Sequence, residues 1–188
     1  MKGILVQTTL YGERDLKRII KTKRLRGHGL SQKAIGFQLP LFKDRPLSYC
    51  SFFCKGYEEV YGNREGIVFE TEASIAYACP VDNFHLLRGG NWLPGHDRFI
   101  FPTIEKMLER YPNSEDFKKD FQEYFSSLKP KEVYPNNIDS AELWHRIDYC
   151  LRADWNPGCN EVTFDKPTII RPIGIFRSAE DLRRLLDS

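Results

Sequence analysis

Three clusters of polar residues along the sequence have the side chains that chemistry needs. They are Gln7-Thr8-Thr9 at the end of an apolar stretch, Ser48 with Ser51 in a strand-like segment, and Glu161 after the polar loop 153–160. Hydroxyl and amide groups can fix a bound polar molecule through hydrogen bonds. A carboxylate can stabilise developing positive charge or deprotonate a nucleophile. Each cluster is short, and none of them by itself is specific to one chemistry.

The common catalytic signatures are absent. The sequence lacks a phosphate-binding P-loop, a dinucleotide-binding G-x-G-x-x-G, a nucleophile elbow and an H-E-x-x-H zinc motif. It has 5 cysteines and 4 scattered histidines, with no C-x-x-C. Their spacing indicates neither a zinc site nor a disulfide framework. We therefore expect reduced thiols, no metal and a cytoplasmic protein.

Charge is distributed unevenly along a chain whose net charge is only +2. Residues 1–45 contain eleven Lys/Arg and three Asp/Glu, a balance of +8, which leaves −6 for residues 46–188. A basic segment of this kind favours an anionic partner, either a phosphate-bearing small molecule or a nucleic acid. A solvated helix face would carry the same charges.

Membrane insertion and secretion are not expected. The longest uncharged apolar runs are far shorter than the roughly 18–20 residues that a membrane helix needs. The first residues contain neither a long apolar region nor a small-residue cleavage site, so they do not resemble a secretory signal.

The elements that must position the polar residues predict a single α+β domain over residues 1–188. The order is β-α-loop-β-α-β, then a helical block inserted at about 102–153, then β-β-α. We predict strands at 4–9, 47–53, 66–70, 160–164 and 168–176, and helices at 13–26, 54–61, 104–111, 114–128, from 139, and after Ser178.

Capping residues define several of these helices. Gly27 is predicted to end the first helix. Thr103 is predicted to cap the 104–111 helix, Ser114 the 114–128 helix, and Ser178 with Asp181 the last one. The aromatic residues of the 114–128 helix recur on one face, which predicts ordinary core packing.

This order of motifs resembles the ADP-ribosyltransferase fold. The closest similarity is to DarT-type nucleic-acid ADP-ribosyltransferases and related abortive-infection toxins. This similarity rests on three parts of the sequence. They are residues 47–51 together with 61–62 and 67–69, the segment Asn160–Phe164, and the following strand, which ends in Gly174-Ile175. The resemblance covers the first 75 and the last 30 residues, and it implies a split mixed or antiparallel β-sheet core.

The resemblance implies an NAD+ site built from three sheet positions: the first strand, a Ser/Thr-containing strand and a glutamate. Cleavage of the nicotinamide–ribose bond builds positive charge on the ribose, which a carboxylate stabilises in the transition state. Glu161 is the candidate catalytic residue. The implied cofactor-binding residues are Gln7, Thr8, Thr9, Ser48, Ser51, Tyr57, Tyr61 and Arg45, with either Tyr57 or Tyr61 stacking on the nicotinamide ring.

One position departs from the family pattern. The family usually places Arg or His on the first strand to hold the diphosphate or ribose, whereas this sequence has Gln7 there. Glutamine can donate and accept hydrogen bonds but carries no charge. The cationic role would then pass to Arg24, Arg26 or Arg45, or cofactor binding has been lost.

A nucleic-acid acceptor is favoured by the basic helix and the loop that follows it. Basic side chains can bind phosphates without reading sequence. Aromatic side chains can stack on an unpaired base. The candidate acceptor-binding residues are Arg24, Arg26, Trp155, Asn156 and Asn160, and the candidate stacking residues are Trp92, Phe99 and Trp155.

Other functions remain open from the sequence. Protein or water as acceptor would use the same catalytic residues, and a non-catalytic basic nucleic-acid-binding module would explain Gln7. A Mg²⁺ nuclease would use Glu58, Glu59, Glu70 and Glu72. If the protein is a nucleic-acid-modifying toxin of a toxin–antitoxin or phage-defence system, we expect a cognate antitoxin, because unrestrained activity would harm the host.

Overall fold

The structure, a computed structural model, describes nine stretches of the chain: residues 3–8, 12–25, 27–28, 47–58, 65–81, 87–88, 91–128, 160–165 and 168–187. The strands are β1 (Gly3–Thr8), β2 (Gly27–His28), β3 (Leu47–Cys54), β4 (Gly66–Glu70), β5 (Ile75–Cys79), β6 (Leu87–Arg88), β7 (Asn91–Trp92), β8 (Glu161–Phe164) and β9 (Arg171–Phe176). The α-helices are α1 (Glu13–Thr22), α2 (Ile104–Arg110), α3 (Ser114–Ser127) and α4 (Ala179–Asp187), and a 3-10 turn spans His96–Phe99.

Six strands form one antiparallel sheet in the order β5-β8-β3-β1-β4-β9. Strand β2 pairs with the first two residues of β3, and β6 with β7 forms a separate hairpin. The prediction of an α+β fold is therefore confirmed. Strands β8, β3 and β1, which carry the three predicted clusters, are direct neighbours in the sheet.

Helices cover both faces of the sheet, which we name by the helix that packs on them. On the α1 face, α1 and α2 bury Leu16, Ile19 and Met107 against Ile67 and Val162. On the α4 face, Leu182 packs with Val6, Phe53, Val68 and Phe176. Because successive strand residues point to opposite faces, every position in a paired strand can be assigned to one face.

An aromatic cluster covers the β5 end of the α4 face. Tyr77 and Cys79 of β5 pack there against the 3-10 turn, α3 and the chain that joins them. The cluster also contains Val81, Leu93, Phe99, Tyr111, Phe117, Phe121, Tyr124 and Phe125. The four aromatic residues of α3 are thus core residues, as their spacing predicts.

The first helix is shorter than predicted. It ends at Thr22 because Lys23 adopts a left-handed conformation with φ 51°, and its N–H donates to the carbonyl of Ile19. The chain then forms main-chain hydrogen bonds with 168–170, from Leu25 N–H to the Thr168 carbonyl and from Ile170 N–H to the Lys23 carbonyl. The prediction that Gly27 ends the helix is wrong because this pairing intervenes.

Three of the predicted caps can be compared with the structure. Thr103 caps α2 and Ser178 with Asp181 caps α4, as predicted. Asn113 rather than Ser114 caps α3, since its side-chain oxygen accepts from the N–H of Asp116 at 2.9 Å. The helix predicted at 54–61 is wrong over residues 54–58, which end β3 and then form a turn in which Cys54 and Tyr57 pair; residues 59–61 lie outside the described residues. The helix predicted from residue 139 lies wholly outside them.

Gly56 holds the start of α3 against that turn. Its φ is +90°, and its carbonyl accepts a hydrogen bond from the N–H of Ser114. A Cβ at this position would lie 2.7 Å from the Pro112 carbonyl oxygen and 2.8 Å from Asn113 Cβ. Both the backbone conformation and the close approach therefore require glycine.

Gly56→Ala is expected to lower the free energy of unfolding by about 2–4 kcal/mol, since backbone strain and overpacking each cost about 1–3 kcal/mol. Urea denaturation measures the change. Gly95→Ala is the matched control, because Gly95 also has a positive φ, 67°, but no atom lies within 4 Å of its added Cβ. Equal losses in the two variants would contradict a contribution from the contact with Pro112.

Candidate active site

A strip of polar side chains crosses the α4 face between its two apolar clusters. Cys79 of β5 pairs with Glu161 of β8, and Ser51 of β3 pairs with Val6 of β1. The β3–β8 ladder ends at the pair Cys50–Val162, and the next position along it places Ser51 beside Glu161. A second row runs through Tyr77, Thr163 and Tyr49 and leads to Thr8. We call the polar members the polar strip: Thr8, Tyr49, Ser51, Glu161 and Thr163.

Glu161 is the acidic residue of the polar strip, and it is only 8% exposed. Its Oε1 accepts two hydrogen bonds, from the Tyr77 hydroxyl at 2.7 Å and from the Thr163 hydroxyl at 3.0 Å. Glutamate is rarely this deeply buried, because a buried charge needs specific partners. Burial, two hydrogen-bond donors and neighbouring polar side chains make Glu161 a candidate functional residue.

The groups around Glu161 respond to its burial and charge. Burial, followed by the negative charge of Glu161, raises the pKa of Tyr77 well above its ordinary value. The same two causes, in the same order, raise the pKa of the Cys50 thiol. Tyr77 therefore keeps its proton and acts as a hydrogen-bond donor, while Cys50 remains a neutral thiol.

Asn160 fixes the start of β8 to the neighbouring strand. Its Oδ1 accepts from the N–H of Phe52 at 2.7 Å, and its Nδ2 donates to the Phe52 carbonyl at 2.7 Å. The side-chain amide thus extends the β3–β8 ladder as a peptide group would. It is 2% exposed. Asn160 was predicted to bind the acceptor, but both of its amide groups hold the β3 main chain.

Asn160→Ala is expected to lower the free energy of unfolding by about 2–4 kcal/mol, because the N–H and the carbonyl of Phe52 both lose their hydrogen-bond partner. Each buried main-chain group left without a partner costs about 1–3 kcal/mol. Guanidinium denaturation followed by circular dichroism measures the loss. Asn113→Ala provides a comparison, since that amide caps the exposed start of α3 and should cost only about 1 kcal/mol. A loss at Asn160 no larger than that at Asn113 would contradict the ladder role.

The first-strand residues divide between the two faces. Gln7 pairs with Ile67, so alternation places it on the α1 face, opposite to Glu161. Its Nε2 donates to the Thr8 carbonyl at 3.2 Å, and its buried Oε1 accepts no hydrogen bond from the described residues. Thr8 lies on the polar strip. Thr9 lies outside the described residues.

The two serines of β3 also point to opposite faces. Ser48 is fully buried, and its hydroxyl accepts from the N–H of Thr168 at 3.2 Å. It lies on the α1 face, away from Glu161, so a ligand on the polar strip does not reach it. Ser51 is partly exposed on the polar strip. Of the two serines predicted to bind the cofactor, the structure brings only Ser51 next to Glu161.

The remaining predicted cofactor-binding residues do not join the polar strip in the described residues. Tyr57 is fully buried, and its hydroxyl donates to the Tyr111 carbonyl at 3.1 Å. Burial raises the pKa of Tyr57 well above its ordinary value. Its ring is enclosed in the core and is not open to stack on a ligand. Tyr61 and Arg45 lie outside the described residues.

The predicted acceptor-binding residues are only partly described. Arg24 is exposed, and its main chain forms a bridge with Ile169. Arg26, Trp155 and Asn156 lie outside the described residues. The prediction that Phe99 is an exposed stacking residue is wrong, because Phe99 is fully buried in the aromatic cluster.

The basic charge of α1 is partly compensated within the helix. Lys17 pairs with Glu13 at 3.0 Å, and both side chains are more than 70% exposed. Arg18 lies 3.8 Å from Asp15. The exposed Lys17–Glu13 pair contributes little to stability, about 0–1 kcal/mol, whereas Asp15 is a buried residue. The exposed basic side chains of α1 match the alternative of a solvated helix face for this part of the basic segment.

Three residues near Glu161 were missed from the sequence. Tyr49 and Thr163 could have been found by alternation, since they lie two positions from Ser51 and Glu161 respectively. Tyr77 could not be found in this way, because β5 itself was not predicted. Its strand has alanines at 76 and 78 and lacks a clear polar alternation.

Two further findings concern metals and membranes. Among the described residues, no group of three or more His, Cys, Asp or Glu side chains is arranged to hold a metal ion. None of the helices in those parts of the chain is both long enough and apolar enough to cross a membrane.

Comparison with known proteins found no matching family model, no matching curated protein and no matching solved structure.

Proposed function

We propose that the protein is a mono-ADP-ribosyltransferase that uses NAD+ and modifies a nucleic acid. The main support is that the three sheet positions expected to bind NAD+ lie on adjacent strands, β1, β3 and β8. On one face of these strands stand Thr8, Ser51 and Glu161. This shared face places a carboxylate next to hydroxyl groups that suit a ribose.

The proposed chemistry requires one fixed negative charge. The bond between the nicotinamide nitrogen and ribose C1′ breaks, and its electron pair passes to the nicotinamide ring, which leaves as a neutral molecule. Positive charge develops at C1′, and Glu161 stabilises that charge more in the transition state than in bound NAD+. A nucleophile of the acceptor then forms a bond to C1′ and passes its proton to the carboxylate of Glu161. Glycosidases use carboxylates against similar charge.

The polar strip also suggests which hydroxyls hold the nicotinamide ribose. Ser51 lies beside Glu161, and Thr8 lies on the same face one strand further along. We therefore assign the first-strand role to Thr8 instead of Gln7, whose side chain points to the opposite face. The diphosphate would be held by a cation from Arg24, Arg26 or Arg45.

A nucleic-acid acceptor fits the charge of the N-terminal segment, with its balance of +8 over residues 1–45. Phosphates attract such a segment without regard to sequence. A protein with this activity would harm its host, so we propose a toxin that acts in the cytoplasm and is restrained by a cognate antitoxin. Harmless overexpression of the folded wild-type protein would contradict the toxin role.

The experiment incubates the purified protein with NAD+ labelled on the adenylate phosphate and with separate acceptors: single-stranded DNA, duplex DNA, RNA and lysate protein. We expect label on one nucleic acid together with release of nicotinamide. Label on protein, or free ADP-ribose without a labelled acceptor, would instead support a protein-modifying enzyme or an NAD+ glycohydrolase. Absence of NAD+ consumption in every mixture would contradict the proposal.

A thermal-shift measurement separates binding from turnover. A ligand at 100 times its dissociation constant adds about 2.7 kcal/mol to the stability of the folded state. We expect millimolar NAD+ to raise the melting temperature. If neither a shift nor consumption is observed, a non-catalytic binding module becomes the better account. Nuclease activity that is lost with EDTA would instead support a Mg²⁺ enzyme.

A further inference from the structure

Tyr77 links Glu161 to the aromatic cluster. Its hydroxyl donates to Glu161 Oε1 at 2.7 Å, while its ring belongs to the cluster that includes Phe99, Phe117 and Phe121. Tyr77 is 1% exposed. Its hydroxyl is therefore placed by packed rings on one side and by the carboxylate on the other.

We propose that Tyr77, together with Thr163, is a positioning residue that fixes the carboxylate of Glu161 for catalysis. The inference rests on the proposed function and adds to it a role for α3 and the 3-10 turn. These two elements would hold the cluster, the cluster would hold Tyr77, and Tyr77 would hold the catalytic carboxylate. Helix α3 then supports the active site in addition to covering the sheet.

The hydrogen-bond geometry carries this inference. Two donors from two strands, Tyr77 on β5 and Thr163 on β8, converge on the same oxygen of Glu161. A single hydrogen bond leaves a carboxylate able to rotate about its last side-chain bond, whereas two donors from different directions restrict it. Hydrogen bonds to an ionised acceptor are also stronger than those between neutral groups.

The state of the Tyr77 hydroxyl agrees with a donor role. Burial and the nearby negative charge raise the pKa of Tyr77 well above its ordinary value. Tyr77 thus keeps its proton over the whole pH range in which an enzyme is assayed. It can orient Glu161, but it does not accept a proton from the acceptor.

Packing alone would not need the hydroxyl. Phenylalanine has the same ring and would fill the same place in the aromatic cluster, so Tyr77→Phe removes the donor with little change in packed volume. Tyr124→Phe is the matched control, because Tyr124 belongs to the same cluster and its hydroxyl donates to the Pro94 carbonyl instead. The two variants make the same chemical change at two places in one cluster.

The test measures kcat and KM for NAD+ consumption by the wild-type protein and by both variants between pH 5 and 9. We expect Tyr77→Phe to lower kcat about 10- to 100-fold with KM changed less than about threefold, since misplacement of a catalytic group reduces rate more than binding. The acidic limb of its pH–rate profile should move to higher pH, because the carboxylate loses a donor that favours its charged form. Tyr124→Phe should match the wild-type profile.

Thr163 provides an independent second test. Thr163→Val should lower kcat in the same way, and Thr163→Ser, which keeps the hydroxyl, should restore most of it. If the wild-type protein consumes NAD+ and Tyr77→Phe has the same rate and pH profile as Tyr124→Phe, this inference alone is overturned. A folded wild-type protein that consumes no NAD+ would overturn both the proposed function and the inference.

Discussion

Glu161→Gln is expected to lower kcat for NAD+ cleavage by about 100- to 1,000-fold, the range observed when one electrostatic stabiliser of a transition state is removed. Glutamine has nearly the same size, and its side-chain oxygen can still accept from Tyr77 and Thr163. The variant therefore keeps the packing and loses the negative charge. Chromatographic measurement of NAD+ and nicotinamide gives the rate, and thermal unfolding reports whether the fold is retained.

Two controls define what that loss means. Glu72→Gln removes the same charge from an exposed position outside the polar strip, so its rate should equal that of the wild-type protein. Glu161→Asp keeps the charge but withdraws it by one methylene, and its rate should fall between those of the wild type and Glu161→Gln. A Glu161→Gln protein that cleaves NAD+ at the wild-type rate would exclude Glu161 as the catalytic residue.

Phe99→Ala is expected to lower the free energy of unfolding by about 3–5 kcal/mol, as for large-to-small changes of buried aromatic residues. Phe99 is fully buried, and its ring centroid lies 5.6 Å from that of Phe117, 5.4 Å from that of Phe121 and 5.1 Å from that of Tyr124. Removing the ring opens a cavity at the centre of the cluster. Urea denaturation, monitored by tyrosine and tryptophan fluorescence, measures the loss.

An exposed apolar residue serves as the control for this core prediction. Ile169 is 68% exposed, and Ile169→Ala should change the stability by no more than about 0.5 kcal/mol. Phe99→Leu, which fills part of the cavity, should cost less than Phe99→Ala. A fully stable Phe99→Ala protein with weakened nucleic-acid binding would contradict the core role and restore Phe99 as a base-stacking residue.

Strands rich in apolar and β-branched residues could be predicted from the sequence, and β5, which has few of them, could not. Strands β3, β4, β8 and β9 occur where apolar and β-branched residues predict them. Strand β5 was missed because three of its five residues are two alanines and a cysteine, a composition that is typical of neither a strand nor a loop. This omission hid Tyr77, and with it one donor to Glu161.

Helix α1 shows how long-range pairing overrides a local signal. Its apolar spacing predicted the helix but extended it to residue 26, toward a glycine that looks like a cap. The observed end depends on main-chain hydrogen bonds between 23–25 and 168–170, which are distant in sequence. No local pattern contains that information.

The sequence predicts which strands form the candidate site but not which of their side chains face it. Which of Ser48 and Ser51 faces Glu161 depends on the β3–β8 register, and the face of Gln7 depends on the further register with β1. A shift of one residue in either register would exchange the faces. The sequence therefore indicates the three strands, but the face to which each side chain points is known only once the strands are paired in the sheet.

The most direct test of the central claim is a crystal structure of the Glu161→Gln protein with NAD+ bound. The account predicts that the nicotinamide ribose lies on the polar strip, within hydrogen-bond distance of the Ser51 hydroxyl and of the side chain at position 161. NAD+ bound on the α1 face beside Gln7, or no NAD+ in crystals grown at millimolar concentration, would contradict it.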